Sequence, residues 1–221
     1  MLAAARFSQT QAMDPRIEQL LRQTPGDRYA DVALEGPPTD LAVICAELDA
    51  LQQLASQRPN RQAQFACEAD LACLAFAGYT LGPKPGPDAK PMTAWLLTEA
   101  VRRLEPITYR EKARFDRVRP SVARPSLGTA LPLPNHASYP SGHAATATLM
   151  AEILAELSPQ DGAAFREDAR RIAHNREIAG LHYISDSEAG ARLAGMVVDR
   201  FRAEAWYRDA LPAARCEWGR C

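Results

Sequence analysis

The stretch NHASYPSGHAAT, Asn135–Thr146, places Pro140-Ser141-Gly142-His143 directly before an apolar run, AATATLMAEILAEL (144–157). A serine ahead of such a run is a natural N-cap, because its hydroxyl accepts a backbone N–H that the first helical turn leaves unpaired. Gly142 would let that backbone approach a ligand with no side chain between. His143 falls in the first turn, where free N–H groups and the helix dipole draw anions. The stretch predicts a helix from Ser141 to about Leu157. Whether it is only a cap or also one wall of an anion site is open on these residues alone, and capping is the simpler reading.

The helical pattern extends in both directions. Downstream, Ser158-Pro159 supplies a cap and a first-position proline for a second helix. Gly180 is placed to end that helix, and SDSE (185–188) predicts a third, with Ser185 as cap and Glu188 closing a capping box. Upstream, TDLAVICAELDALQQLASQ (39–57) carries Leu41, Ile44, Leu48, Leu51 and Leu54 at three- and four-residue steps. QAQFACEADLACLAFAGYTLG (62–82) reads the same way and stops at Gly82, followed by a Pro/Gly connector, PKPGPDAKP (83–91). MTAWLLTEAVRRLEP predicts a helix stopped at Pro106, and ITYREKARFDRVRP another that stops before Pro120. Residues 121–140 are proline-rich and predict a long irregular loop, which with Tyr109 is the expected specificity surface. No alternating strand pattern of useful length appears. The expectation is an all-α, compact multi-helix bundle of about seven helices. Residues 1–38 are expected to form a loosely ordered N-terminal arm, 39–210 the domain and 211–221 a C-terminal tail.

Composition bounds the function classes. The chain has 221 residues, 47% of them hydrophobic and 24% charged, with a net charge of −1. That is enough for one sizeable core and gives no global argument for nucleic acid or a membrane surface. No apolar run is long enough for a span, and the first residues are too polar for a secretory signal. The five cysteines match no zinc spacing; Cys216 and Cys221 could close a small loop, and Cys67 and Cys73 face different ways on their helix.

Three clusters could carry chemistry. Between Val101 and Arg124 stand eight Lys or Arg against three carboxylates, net +5. Most of these read as a solvated helix face. Lys112 and Arg119, seven apart and so on one face of a helix, are equally compatible with anion binding. The PSGH cap is the second cluster: a hydroxyl, free N–H groups and an imidazole as proton donor. The third is NREIAGLHYISDSEAG (175–190). Asp186 lies four residues after His182, across a turn, where it can accept a hydrogen bond from one ring nitrogen and leave the other as a nucleophile. Two histidines, one carboxylate and three cations are the inventory of phosphoryl transfer.

These clusters resemble the signature of the type 2 phosphatidic acid phosphatase superfamily: Lys112, six residues, Arg119-Pro120; then Pro140-Ser141-Gly142-His143; then Asn175-Arg176, five residues, His182, three residues, Asp186. Within it the chain is most similar to the soluble bacterial class A acid phosphatases, over residues ~37–205. The resemblance implies the all-α bundle shared by acid phosphatases and vanadium haloperoxidases, and the metal-independent hydrolysis of phosphate monoesters. By it, His182 forms a phosphohistidine, Asp186 orients His182, and His143 protonates the leaving alcohol. Lys112, Arg119 and Arg176 hold phosphate with Ser141 and Gly142. One departure is Asn175, where the family has serine; its amide could still donate to a phosphate oxygen. The resemblance implies no cofactor and no metal, vanadate as an inhibitor, and a small-molecule phosphomonoester as partner rather than nucleic acid. It also implies a periplasmic location, against which the lack of a written signal points to the cytoplasm. Assembly into a homo-oligomer is left open. The alternatives are a vanadium-dependent haloperoxidase, a lipid (phosphatidate or isoprenyl phosphate) phosphatase of the same superfamily, and a His143/His182/Asp186 metal site, which three nearby cations would disfavour.

Overall fold

The helix begun by PSGH is the axis of the molecule. In the computed structural model, which describes residues 6–9, 12–23, 29–68 and 90–221, it runs Gly142–Leu157. Buried residues lie all around it, from Ala144, Ala145 and Ala147 to Leu149, Met150, Ile153, Leu154 and Leu157. A helix apolar on every side must be central. It is α6 in chain order, after α1 (Pro15–Gln23), α2 (Leu41–Leu54), α3 (Gln62–Glu68), α4 (Pro91–Phe115) and the short α5 (Pro120–Ala123). It is followed by α7 (Gly162–Ile178), α8 (Ile184–Arg202) and α9 (Ala205–Cys216). Helix α6 packs mainly on α7 and α8, with α4 on a third side. Among the described residues no strand is present, so the fold is the expected all-α bundle.

Four local expectations are corrected. Pro106 does not stop a helix: α4 is continuous through it. Leu96, Leu97, Ala100, Leu104 and Ile107 form one buried stripe on both sides of the proline, and that burial outweighs the single backbone hydrogen bond the proline removes. The same helix ends at Phe115, not before Pro120, because Asp116 adopts the left-handed conformation (φ 52°). The helix after Ser158-Pro159 starts as a 3-10 turn, Pro159–Asp161, and becomes α-helical only at Gly162. Helix α8 starts at Ile184, and it is Asp186, not Glu188, whose side chain takes the N–H of the cap residue, Tyr183, at 3.0 Å. Ser185 instead gives its N–H to Glu47 at 2.7 Å.

Helix α2 buries Ile44, Leu48 and Leu51 of its expected stripe, while Leu41 is exposed. The stop at Gly82, the connector 83–89 and Cys73 lie outside the described residues. The described part of residues 1–38 rests on the rest of the protein. Phe7 is buried and its N–H donates to the Asp116 carbonyl at 2.8 Å; the Asp14 N–H donates to the Asn135 carbonyl at 3.0 Å; Val32 and Leu34 enter the main core. Beyond residue 210, α9 continues to Cys216, which is disulfide-bonded to Cys221. Between these cysteines Glu217 accepts the N–H groups of Met92 and Thr93, capping α4 from the far end of the chain.

Candidate active site

Lys112 and Arg119 come together by a route other than the shared helix face. Lys112 is on the last turns of α4, and Arg119 follows the Asp116 turn in extended backbone (φ −75°, ψ 154°). Both are 1% exposed. The Lys112 ammonium donates to the carbonyls of Ala137 (2.9 Å), Ser138 (3.1 Å) and Pro140, gathering the loop that leads into PSGH.

The start of α6 is built as the cap motif requires. The Ser141 hydroxyl accepts the Ala144 N–H at 3.3 Å. The Ser141 N–H donates to the Asp186 carbonyl at 2.9 Å, tying this helix start to that of α8. Gly190 permits the approach: a Cβ there would lie 2.4 Å from the Ser141 carbonyl oxygen.

Between α7 and α8 the chain turns through Gly180 (φ 79°), whose N–H bonds the Glu177 carbonyl while that of Leu181 bonds Arg176. This is a Schellman stop, and it delivers His182 immediately after it. His182 Nδ1 lies 3.3 Å from Asp186 Oδ2 and its Nε2 lies 3.4 Å from Arg119 Nη1. Asp186 accepts at Nδ1 and the guanidinium can only donate at Nε2, so the neutral ring carries its proton on Nδ1 and a lone pair on Nε2.

A cavity of about 250 Å³ is lined by Lys112, Gly142, His143 and His182, together with Thr108, Tyr109 and His136. The other expected residues stand behind this wall. Arg119 reaches it through His182 and through His136, whose Nδ1 is 3.1 Å from Arg119 Nη2. Asp186 is fully buried behind His182. Arg176 pairs with Glu68 at 2.8 Å, and Asn175 donates its amide to the other Glu68 oxygen at 2.6 Å. His143 Nε2 lies 3.2 Å from the Glu68 carbonyl. A second hollow shares Glu105, Tyr109, Pro134 and His136 with the first and is lined on another side by Ile17 and Leu20 of α1.

Burial and crowded positive charge set the titration of the site. Burial, then Arg119 and Lys112, lowers His182 to about 3 against the pull of Asp186. Burial, then Arg176, lowers His143 to about 4. Burial and Arg119 hold Lys112 well below its ordinary value, and burial brings Arg119 to about 10. Burial alone would raise the Asp186 carboxyl, but Arg117, His182 and Ser138 together hold it below the carboxylate range. Such a cluster favours the entry of an anion.

Several residues were not legible as site residues. Arg117, read above as part of a solvated face, is 8% exposed and donates to Asp186 (2.6 Å), Ser185 (2.8 Å) and Glu47 (3.0 Å) over the Tyr183 ring. Ser138 donates to Asp186 at 2.6 Å. Their partners are 48 to 70 residues away in the chain, so no local spacing announces them. His136 and Glu68 were equally silent. The remaining basic residues of 101–124 are mostly surface pairs, such as Arg102 with Glu99 and Arg124 with Asp49. Among the described residues no group of three or more His, Cys, Asp or Glu is placed to share a metal ion.

Comparison with known proteins agrees with the motifs. A non-specific acid phosphatase of Providencia stuartii is 26% identical over 172 residues, covering 73% of this chain and 68% of that protein. One from Salmonella typhimurium is 29% identical over 146 residues, covering 63% and 56%. This chain is similar in sequence to bacterial non-specific acid phosphatases. An acid phosphatase of Zymomonas mobilis is 30% identical over 137 residues, 58% of this chain and 50% of that protein. The chain thus spans one half to two thirds of the length of these relatives. No family model matches it. The fold is also that of a bacterial vanadium-dependent iodoperoxidase, with a TM-score of 0.58 at 16% identity, over 79% of this chain and 54% of that one. No helix among the described residues is long and apolar enough to cross a membrane.

Proposed function

We propose that this protein is an acid phosphatase that hydrolyses small phosphate monoesters, without a metal, through a phosphohistidine at His182. The observation that carries the reading is the state of His182. Its Nδ1 proton is held by Asp186, and its Nε2 lone pair sits beside Arg119 in the wall that Lys112, Gly142 and His143 complete.

In the first step the Nε2 lone pair attacks phosphorus. The P–N bond forms, the ester P–O bond breaks, and His143 gives its proton to the departing oxygen. In the second step water attacks phosphorus, the P–N bond breaks with its electrons returning to His182, and His143 takes the proton of the water. Lys112 and Arg119 neutralise the equatorial oxygens, and the first-turn N–H groups of α6 add fixed dipoles. Arg176 completes the cationic set from behind. The His143 value near 4 belongs to a ring crowded by cations; a phosphate dianion beside it raises it, which suits activity in acid. The resemblance to the class A enzymes supports a periplasmic setting.

The test is phosphate release across nucleotides, sugar phosphates, aryl phosphates and lipid phosphates, with and without EDTA, plus bromide oxidation after vanadate addition. Release from soluble monoesters, unaffected by chelator, supports the reading. Activity lost in EDTA and restored by a divalent metal overturns the metal-free mechanism. Halide oxidation without phosphate release makes the protein a haloperoxidase.

A further inference from the structure

Glu68 ends α3, the helix whose described part stops there, and is 1% exposed. No spacing marks it as part of the site, yet it touches three of the expected site residues. Its Oε2 pairs with Arg176 Nη2 at 2.8 Å, its Oε1 accepts from Asn175 Nδ2 at 2.6 Å, and its backbone carbonyl faces His143 Nε2 at 3.2 Å. Phe65, one turn earlier on the same helix, lies under the Arg176 guanidinium at 5.7 Å. One short helix therefore supports the guanidinium from two sides.

Asn175 and Arg176 are consecutive on α7, so their side chains diverge. A carboxylate that bridges them fixes both. Asn175 then stands where the resemblance expects serine, but its amide is spent on Glu68 and it does not line the cavity. We infer that Glu68 and Asn175 are a positioning pair, in which Asn175 orients Glu68 and Glu68 aims Arg176, and that Asn175 is not itself a phosphate ligand.

The inference rests on the phosphatase reading, since it supposes that Arg176 serves a bound phosphate. Its physical content is that the Glu68 carboxylate, 2.8 Å from the guanidinium, fixes the orientation of a buried arginine, and that this constraint is lost when the carboxylate is removed. Asn175, acting only through Glu68, should have no effect when Glu68 is gone.

The test is a double-variant cycle read by calorimetric binding of inorganic phosphate and of orthovanadate to the full chain. It uses E68A, N175A and the double variant, with kcat and KM for one aryl phosphate and one alkyl phosphate. Because E68A removes a buried partner, E68Q is carried in parallel. Its amide offers an oxygen to Arg176 and an N–H to a flipped Asn175, so it should retain the fold and bind phosphate more tightly than E68A. The expected results are a rise of about tenfold or more in the phosphate dissociation constant for E68A and a smaller rise for N175A. The double variant should bind no worse than E68A. KM should rise more than kcat falls, equally for both esters, since the leaving group is not involved.

Additive losses in the double variant would make Asn175 a ligand in its own right and overturn the inference. Tighter phosphate binding in E68A would also overturn it, by making Glu68 a competitor of the substrate. Wild-type protein that binds neither anion would instead sink the phosphatase reading, and the inference with it.

Discussion

Gly190 of α8 and Ser141 at the head of α6 are in direct backbone contact: a methyl group on Gly190 would lie 2.4 Å from the Ser141 carbonyl and 3.0 Å from Ala144 Cβ. The contact joins the two helix starts that carry His143 and the His182–Asp186 pair. Gly190→Ala should therefore force these helices apart, with a stability loss of about 1–3 kcal/mol from overpacking and a larger proportional loss of turnover. Thermal unfolding alongside single-turnover rates checks it; unchanged activity would mean that the helix starts need not be held so close.

His182→Ala should abolish turnover, by on the order of 10⁴-fold or more, as loss of a nucleophile does, and leave the helices intact. The residue sits in a turn after a stop that its own side chain does not make. Acid-labile, base-stable phosphate labelling should be present in the wild type and absent in the variant. Labelling that survives would place the nucleophile elsewhere.

His143→Ala should discriminate between leaving groups. An alkyl alkoxide needs its proton in the transition state and a nitrophenolate scarcely does. The loss should be about 10²–10⁴-fold on an alkyl phosphate and clearly smaller on an activated aryl phosphate, in single-turnover measurements. Equal losses would reduce His143 to a phosphate ligand or a support of the helix start.

Arg117→Gln should act through Asp186. It removes the 2.6 Å partner of a fully buried carboxylate and the 3.0 Å partner of one Glu47 oxygen, leaving Glu47 only the Ser185 N–H among the bonds named above. Breaking a buried pair in this way costs about 3–5 kcal/mol, and with Arg117 gone the Asp186 carboxyl rises. The acid limb of the activity profile should then move to higher pH, because a protonated Asp186 no longer orients His182. A variant with an unshifted limb would show that Ser138 and Tyr183 hold Asp186 unaided.

The depressed histidine predicts a pH-dependent stability. His182 is held at about 3 in the fold, against an ordinary value near 6.5 once unfolded. Between these values the unfolded chain binds more protons, so stability falls as pH drops from 6.5 toward 3, by on the order of 2 kcal/mol at pH 5 from this residue. Asp186, held low, adds a loss of the same sign only below about pH 4. Denaturant titrations at pH 7 and pH 5 should show the drop in the wild type and a smaller one in His182→Gln. Equal slopes would mean that His182 is not the group responsible.

By itself the sequence determined the helical bundle, the helix after PSGH and the identity of Lys112, Arg119, His143, Arg176, His182 and Asp186 as the residues to watch. These are local features. A stripe of apolar residues at helical spacing, a serine cap, a glycine stop and a histidine four residues before a carboxylate can all be read within one or two turns of chain. Only the tertiary structure decided how they meet. Lys112 and Arg119 converge through a left-handed turn at Asp116 rather than along one helix face, and Pro106 is carried inside α4 by the burial on either side of it. Arg117, Ser138 and Glu68 join the site from segments 48 to 108 residues distant from their partners. No periodicity encodes such contacts, since they form only where packing around α6 removes water and leaves each buried charge to find a partner.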